Sequence, residues 1–165
     1  MDGLGENAND LYETIDFIKN LISKKKYKNV YAIGSSAGGF AAILFGNLLN
    51  FTKVLAINPQ TVLTEERELV IKDQMDLSAF DEFRKKQKND DYLQRCLNLR
   101  NFKPFQTNVE IHYSGLSHKD KNYVEFIQHE NIHAIEYKTC THLLAYELRE
   151  SGKLKEIILK FLETN

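Results

Sequence analysis

Apolar positions along the chain fall into segments of two periods. Leu11, Ile15, Ile18 and Ile22 recur every three or four residues, which predicts a one-sided helix from Asp10 to Lys24. The run Val30-Tyr31-Ala32-Ile33, ending at Gly34, predicts a short buried strand. From Ala37 to Leu49 small and aliphatic residues occupy nearly every side, the pattern of a helix packed between a sheet and another layer. Lys53 to Ile57, closed by Asn58-Pro59, reads as a second strand. Val109, Ile111 and Tyr113 alternate on one face of a third, with His112 on the other, and Ile132 to Tyr137 makes a fourth. Tyr123, Phe126 and Ile127 place a helix between these last two strands. Leu154, Ile157, Ile158, Phe161 and Leu162 mark an amphipathic helix at the end. Strands alternating with helices predict an α/β fold, in which a mostly parallel sheet of about four to five strands is flanked by helices in three layers.

One stretch breaks the alternation. From Thr64 to Arg100 the chain is rich in charge, with Glu65, Glu66, Arg67 and Glu68 followed by Arg84, Lys85, Lys86 and Lys88. Such a run is expected to be the solvated face of two or three surface helices.

The chain's 165 residues are the length of a single domain, 1–165, and 22 Lys and Arg nearly balance 23 Asp and Glu. Without a net basic field there is no electrostatic case for nucleic acid or an anionic membrane surface as partner. No apolar run approaches the ~20 residues that span a bilayer. Met1 to Asp10 lacks the basic flank and apolar stretch of a secretory signal, so a cytoplasmic location is expected. Cys96 and Cys140 form no C-x-x-C pair and are expected to be reduced thiols.

The chemistry concentrates in Gly34-Ser35-Ser36-Ala37-Gly38-Gly39, a G-x-S-x-G string between a predicted strand and a predicted helix. A sharp strand-to-helix turn pushes the central serine hydroxyl outward, and glycines two positions to either side relieve the crowding. Ser36 takes the place of the second glycine of a dinucleotide fingerprint, and Phe40 stands where a Walker A lysine belongs, so both nucleotide motifs fail. The bland alternative makes Ser36 a helix N-cap. Against it stand His142, just after the fourth strand, and Asp120, after the third. The carboxyl ends of parallel strands are neighbours in space, which lets a nucleophile, a base and an orienting acid converge from distant sequence. Asp120 has its own competing reading as an exposed loop residue capping a helix, and His142 as a histidine at a helix start. His129-Glu130-Asn131-Ile132-His133 spells the zinc-protease string, but the helical stripe stops before it and a strand starts at Ile132. The two histidines are expected on different elements, and no metal or other cofactor is called for.

The strand-turn-helix motif, with Ser36, Asp120 and His142 in that chain order, resembles the C-terminal half of the serine α/β-hydrolase superfamily. The resemblance covers most of the chain and implies a truncated α/β-hydrolase-like fold. It implies that Ser36 attacks a carbonyl, that His142 carries the proton, that Asp120 orients His142, and that the Ala37 N–H is one oxyanion donor, with Gly34 and Gly38 as the glycines of the nucleophile elbow. The implied activity is that of an esterase-like or acyl-transferring serine hydrolase acting on a small ester or acyl substrate, with 61–104 as a helical cap over the site. The family's usual acid position, three residues past the glycine ending the strand, holds His118 here, and the end of the preceding strand, from which some members take the acid, offers Asn58, with Asp76 and Asp81 remote.

A complete member carries about eight strands and takes its second oxyanion N–H from a loop of the earlier half. Without those strands the nucleophile strand lacks a neighbour on one side, which leaves three alternatives: Met1 to Asn9 contributes a partial element, the edge pairs with another chain as in a homodimer, or the serine site is a remnant. Gly3 and Gly5 are candidates for a substitute donor. The alternative from another class is a non-catalytic α/β-hydrolase-like binding or assembly module.

Overall fold

A computed structural model describes residues 10–64, 66–71, 90–139 and 141–163. Asp10 caps the first helix, α1 (Leu11–Lys25), by accepting a 2.9 Å hydrogen bond from the Glu13 amide, and Lys26 ends it in the left-handed conformation. Leu11, Thr14 and Ile15 are its buried stripe. Strand β1 (Tyr31–Ser35) runs into α2 (Ala37–Leu49), and β2 (Lys53–Ile57) comes next. Then come α3 (Glu66–Ile71), α4 (Asp91–Cys96) and a 3-10 turn (Leu99–Phe102). The chain closes with β3 (Asn108–Ser114), α5 (His118–Ile127), β4 (Ile132–Tyr137), α6 (Leu144–Glu150) and α7 (Lys153–Glu163). The predicted strands lie in place, two of them within a residue or two of their expected ends.

The four strands form one parallel sheet in the order β1-β2-β3-β4. Register obeys the hydrophobic alternation. Val54, Ala56, Val109 and Ile111 face the layer made by α1, α2 and α5, where Phe40, Ile43, Leu44, Val124 and Ile127 complete the main core. On the opposite face Ile57 packs with Leu144 and Leu148 of α6, and the Tyr31 ring meets Phe161 of α7 edge-on at 5.8 Å. Each fully buried aliphatic side chain in these layers contributes about 1.5–3 kcal/mol. Helix α2 approaches β2 so closely at Gly46 that an added Cβ would lie 2.5 Å from a Val54 methyl. Among the described residues β1 pairs only with β2, leaving an open edge along which Ile33 is 46% exposed.

The charge-rich stretch departs from expectation at Arg67, which is 1% exposed and donates from Nε to the Tyr123 hydroxyl at 2.7 Å. It is an anchor of α3 on α5, supported by a small cluster of Val62, Ile71 and Tyr123. The two ends of the excursion are pinned together: the Leu63 amide donates to Leu97 and the Leu99 amide to Thr61. No helix among the described residues is long and apolar enough to cross a membrane.

Candidate active site

Because every strand is parallel, all four carboxyl ends open onto one edge, and there the predicted residues meet. Ser36 sits at the corner between β1 and α2 with φ 53° and ψ −119°, a region that non-glycine residues rarely occupy and that costs of order 1–3 kcal/mol. The surroundings hold it there. Its amide donates to the Ile57 carbonyl at 3.0 Å, and its carbonyl accepts from Phe40 at 3.1 Å and Gln60 at 3.2 Å. The Ser36 side chain makes no capping bond to the helix amides. Its hydroxyl lies instead 2.8 Å from His142 Nε2.

The sterics of the turn fall unevenly on its glycines. A Cβ on Gly34 would stand 2.1 Å from the Gly38 carbonyl oxygen, so only glycine fits at 34. A Cβ on Gly38 would meet nothing within 4 Å: it is Gly38's backbone, not a missing side chain, that crowds the corner. Gly39 is the second tight position, where a Cβ would come to 3.0 Å from Pro59.

Asp120 lies in the first turn of α5, not in a loop, and Ser117 is the cap of that helix. The Asp120 carboxylate is fully buried, and Oδ1 is 2.7 Å from His142 Nδ1. An ionised carboxylate only accepts, so Nδ1 carries the proton and donates to it. This leaves Nε2 as the acceptor for the Ser36 hydroxyl. The imidazole is 38% exposed. Asp120 Oδ2 is buried without a hydrogen-bond partner among the described residues. The Ala37 N–H is the first amide of α2, one of the helix-end donors without an intrahelical acceptor, and the positive end of the helix dipole lies there. His118 is exposed, and Gly3, Gly5, Asp76 and Asp81 lie outside the described residues, as does Cys140.

His129 falls in the loop after α5 and His133 within β4, and no group of metal-ligating side chains forms among the described residues. His112, on the far face of the sheet, is held between Glu110 at 2.7 Å and Tyr137 at 2.8 Å, and burial pushes the Tyr137 phenol up.

Sequence reasoning considered Asn58 only as the amide standing where some members of the serine α/β-hydrolase superfamily carry the acid, and missed its part in the site: it is fully buried at the base and bonded to the histidine loop. Its signal was faint: Asn-Pro at a strand end is ordinary turn chemistry.

Comparison with solved structures decides the fold. A carboxylesterase of the thaumarchaeon Nitrososphaera gargenis superposes with a TM-score of 0.54 at 14% identity, over 94% of this chain and 72% of that one. An α/β-hydrolase enzyme from a Medee basin deep-sea metagenome gives 0.54 at 14%, over 97% and 74%. The chain has the α/β-hydrolase fold. The capsule O-acetyltransferase of Neisseria meningitidis serogroup A shares it as well, with a TM-score of 0.56 at 15% identity over 86% of this chain and 63% of that one. The chain thus spans about two thirds to three quarters of the length of these α/β-hydrolase-fold neighbours. No protein-family model matches the sequence, and no curated protein matches it significantly.

Proposed function

We propose that the protein is a serine hydrolase, esterase-like or acyl-transferring, that works through an acyl-Ser36 intermediate. One observation carries this reading: Ser36, His142 and Asp120 form a continuous relay of 2.8 and 2.7 Å contacts, with the serine on a strained turn that aims its hydroxyl away from its own helix. A serine used only for capping would bond the helix amides instead.

In the proposed reaction His142 Nε2 takes the Ser36 proton as Oγ attacks the carbonyl carbon. The buried Asp120 carboxylate stabilises the resulting imidazolium and keeps the ring in the reactive tautomer. The Ala37 N–H and the N-terminus of α2 receive the developing oxyanion. His142 then gives its proton to the leaving alcohol. Water, or a second alcohol, attacks the acyl-serine with His142 again as base, which distinguishes hydrolysis from acyl transfer. No second oxyanion donor is assigned among the described residues, and one missing donor costs ~100 to 1,000-fold in rate. The stretch 61–104, whose described ends are tied to each other and whose Arg67 anchors α3 on α5, is the proposed cap.

A panel of p-nitrophenyl esters of increasing acyl length tests the proposal. Turnover of at least one ester, lost in Ser36→Ala, supports it. Background-level hydrolysis of every ester by the folded wild type, equal to Ser36→Ala, favours the non-catalytic binding or assembly module.

A further inference from the structure

The relay needs His142 held at a fixed depth and angle, yet among the described residues its ring bonds only Ser36 and Asp120, and it is partly exposed. The loop carrying it, between β4 and α6, must be fixed from beneath. Asn58 is the group placed to do so. It is fully buried, directly after β2, with φ 42° and its amide donating to the His112 carbonyl of β3 at 2.8 Å. Its side-chain Nδ2 donates to the His142 carbonyl at 3.1 Å and to Ser114 Oγ at 3.1 Å, and lies 3.4 Å from the Thr141 carbonyl. Its Oδ1 accepts from the Ser114 amide at 2.8 Å. The Ser114 hydroxyl in turn donates to the Thr141 carbonyl at 2.6 Å. With an amide donor on Oδ1 and two main-chain carbonyls at Nδ2, the side chain has only one workable orientation.

We propose that Asn58, with Ser114 as its second member, is a positioning residue that clasps the Thr141-His142 backbone onto the ends of β2 and β3 and so sets the His142 ring against Ser36 and Asp120. The kinetic part of this inference rests on the serine-hydrolase reading; the placement of the ring does not. Asn58 supplies a donor to these main-chain carbonyls, and without it the loop is free to move toward water to satisfy them. A shift of about 1 Å at a catalytic group lowers rate ~100-fold.

Two substitutions separate the clasp from the backbone. Asn58→Gly keeps the positive φ without strain and removes the side chain. Asn58→Asp keeps the shape but sets a carboxylate against two carbonyls, and it regains a donor only when protonated. We expect Asn58→Gly to slow phosphonylation of Ser36 by a fluorophosphonate ~10- to 100-fold, with any ester turnover losing kcat rather than gaining KM. Asn58→Asp is expected to be at least as slow at neutral pH and to recover toward the wild-type rate, compared at equal pH, as the medium is acidified. Independent of activity, ¹⁵N shifts of the His142 ring are expected to show the Nδ1-protonated tautomer in wild type and a mixture in Asn58→Gly.

If wild type fails to label but the tautomer changes in Asn58→Gly, the hydrolase reading falls and the clasp stands. A wild-type rate and an unchanged tautomer in Asn58→Gly overturn the clasp. Should Asn58→Gly fold poorly, Ser114→Ala removes one link of the clasp and is expected to slow labelling ~3- to 10-fold; an unchanged rate there also overturns it.

Discussion

The two glycines that flank Ser36 are expected to respond to the same substitution with opposite signs. In Gly34→Ala the new methyl would lie 2.1 Å from the Gly38 carbonyl oxygen, 2.4 Å from its carbon and 2.8 Å from the Gly39 nitrogen. Carbon and oxygen do not approach much closer than ~3.3 Å, so the turn must open by about 1 Å. It has little freedom to do so, since Ser36 is bonded on both sides, to Ile57 at 3.0 Å and to Gln60 at 3.2 Å. Overpacking of this kind costs ~1–3 kcal/mol where side chains can adjust, and here the obstacle is backbone, so about 3 kcal/mol or more is expected. That lowers Tm by roughly 6–12 °C for a domain of this size. In Gly38→Ala the methyl meets nothing within 4 Å, and replacing a helical glycine gains ~0.5–1 kcal/mol. Urea unfolding tracked by far-ultraviolet circular dichroism measures both. A Gly34→Ala protein within about 1 kcal/mol (roughly 2–4 °C) of wild type would refute this steric reading, as would a Gly38→Ala protein that is the more damaged of the two.

Other consequences can be checked in the same way. Asp120→Asn is expected to cut Ser36-dependent turnover by up to ~10⁴-fold, because an amide, unlike the acceptor-only carboxylate, can donate to Nδ1 and so hold His142 in the unreactive tautomer. The same change relieves a buried carboxylate with an unpartnered oxygen, so stability should be unchanged or higher; a large loss of stability would contradict this role for Asp120. Tyr123→Phe removes the acceptor of the buried Arg67 Nε–H and should cost about 1–3 kcal/mol, read from the urea midpoint, whereas no loss would mean α3 is not anchored on α5 by that bond. Burial pushes the Cys96 thiol up to about 11 from its ordinary 9.0. The folded state therefore holds the proton where the unfolded state releases it. This contribution is complete below the unfolded value and is lost as pH rises from there through the folded value; in Cys96→Ser or Cys96→Ala urea unfolding should show a shallower decline, the part owed to the raised tyrosines staying in place.

Much of this fold was legible because its elements announce themselves by period. The apolar run of β2, the all-round hydrophobic α2 and the alternation in β3 each have one packing solution, a buried parallel sheet covered by helices. The site was legible for a narrower reason: G-x-S-x-G works only at a strand-to-helix corner, and the carboxyl ends of β3 and β4 bring the residues just beyond them to that same edge. Asp120 was harder, because Ser117-His118-Lys119-Asp120 has the S-x-x-D spacing of a helix start but nothing in it says that the acid turns inward. Once Ser117 caps α5, Asp120 falls in the first turn and is driven inward. Arg67 was misread since charge in a run predicts solvent, and only the tertiary meeting of α3 with α5 supplies the Tyr123 hydroxyl that lets it be buried. The role of Asn58 was invisible for the same reason: its partners are Ser114 of β3 and the backbone carbonyls of Thr141 and His142, the latter more than 80 residues away.

The central claim is that Ser36 is a nucleophile activated by His142. Intact-mass analysis after incubation with a fluorophosphonate tests it most directly. One adduct per chain is expected, mapped to Ser36, absent in Ser36→Ala and slowed by orders of magnitude in His142→Ala. A folded wild-type protein that takes up no adduct, or one whose adduct persists in Ser36→Ala, would contradict it.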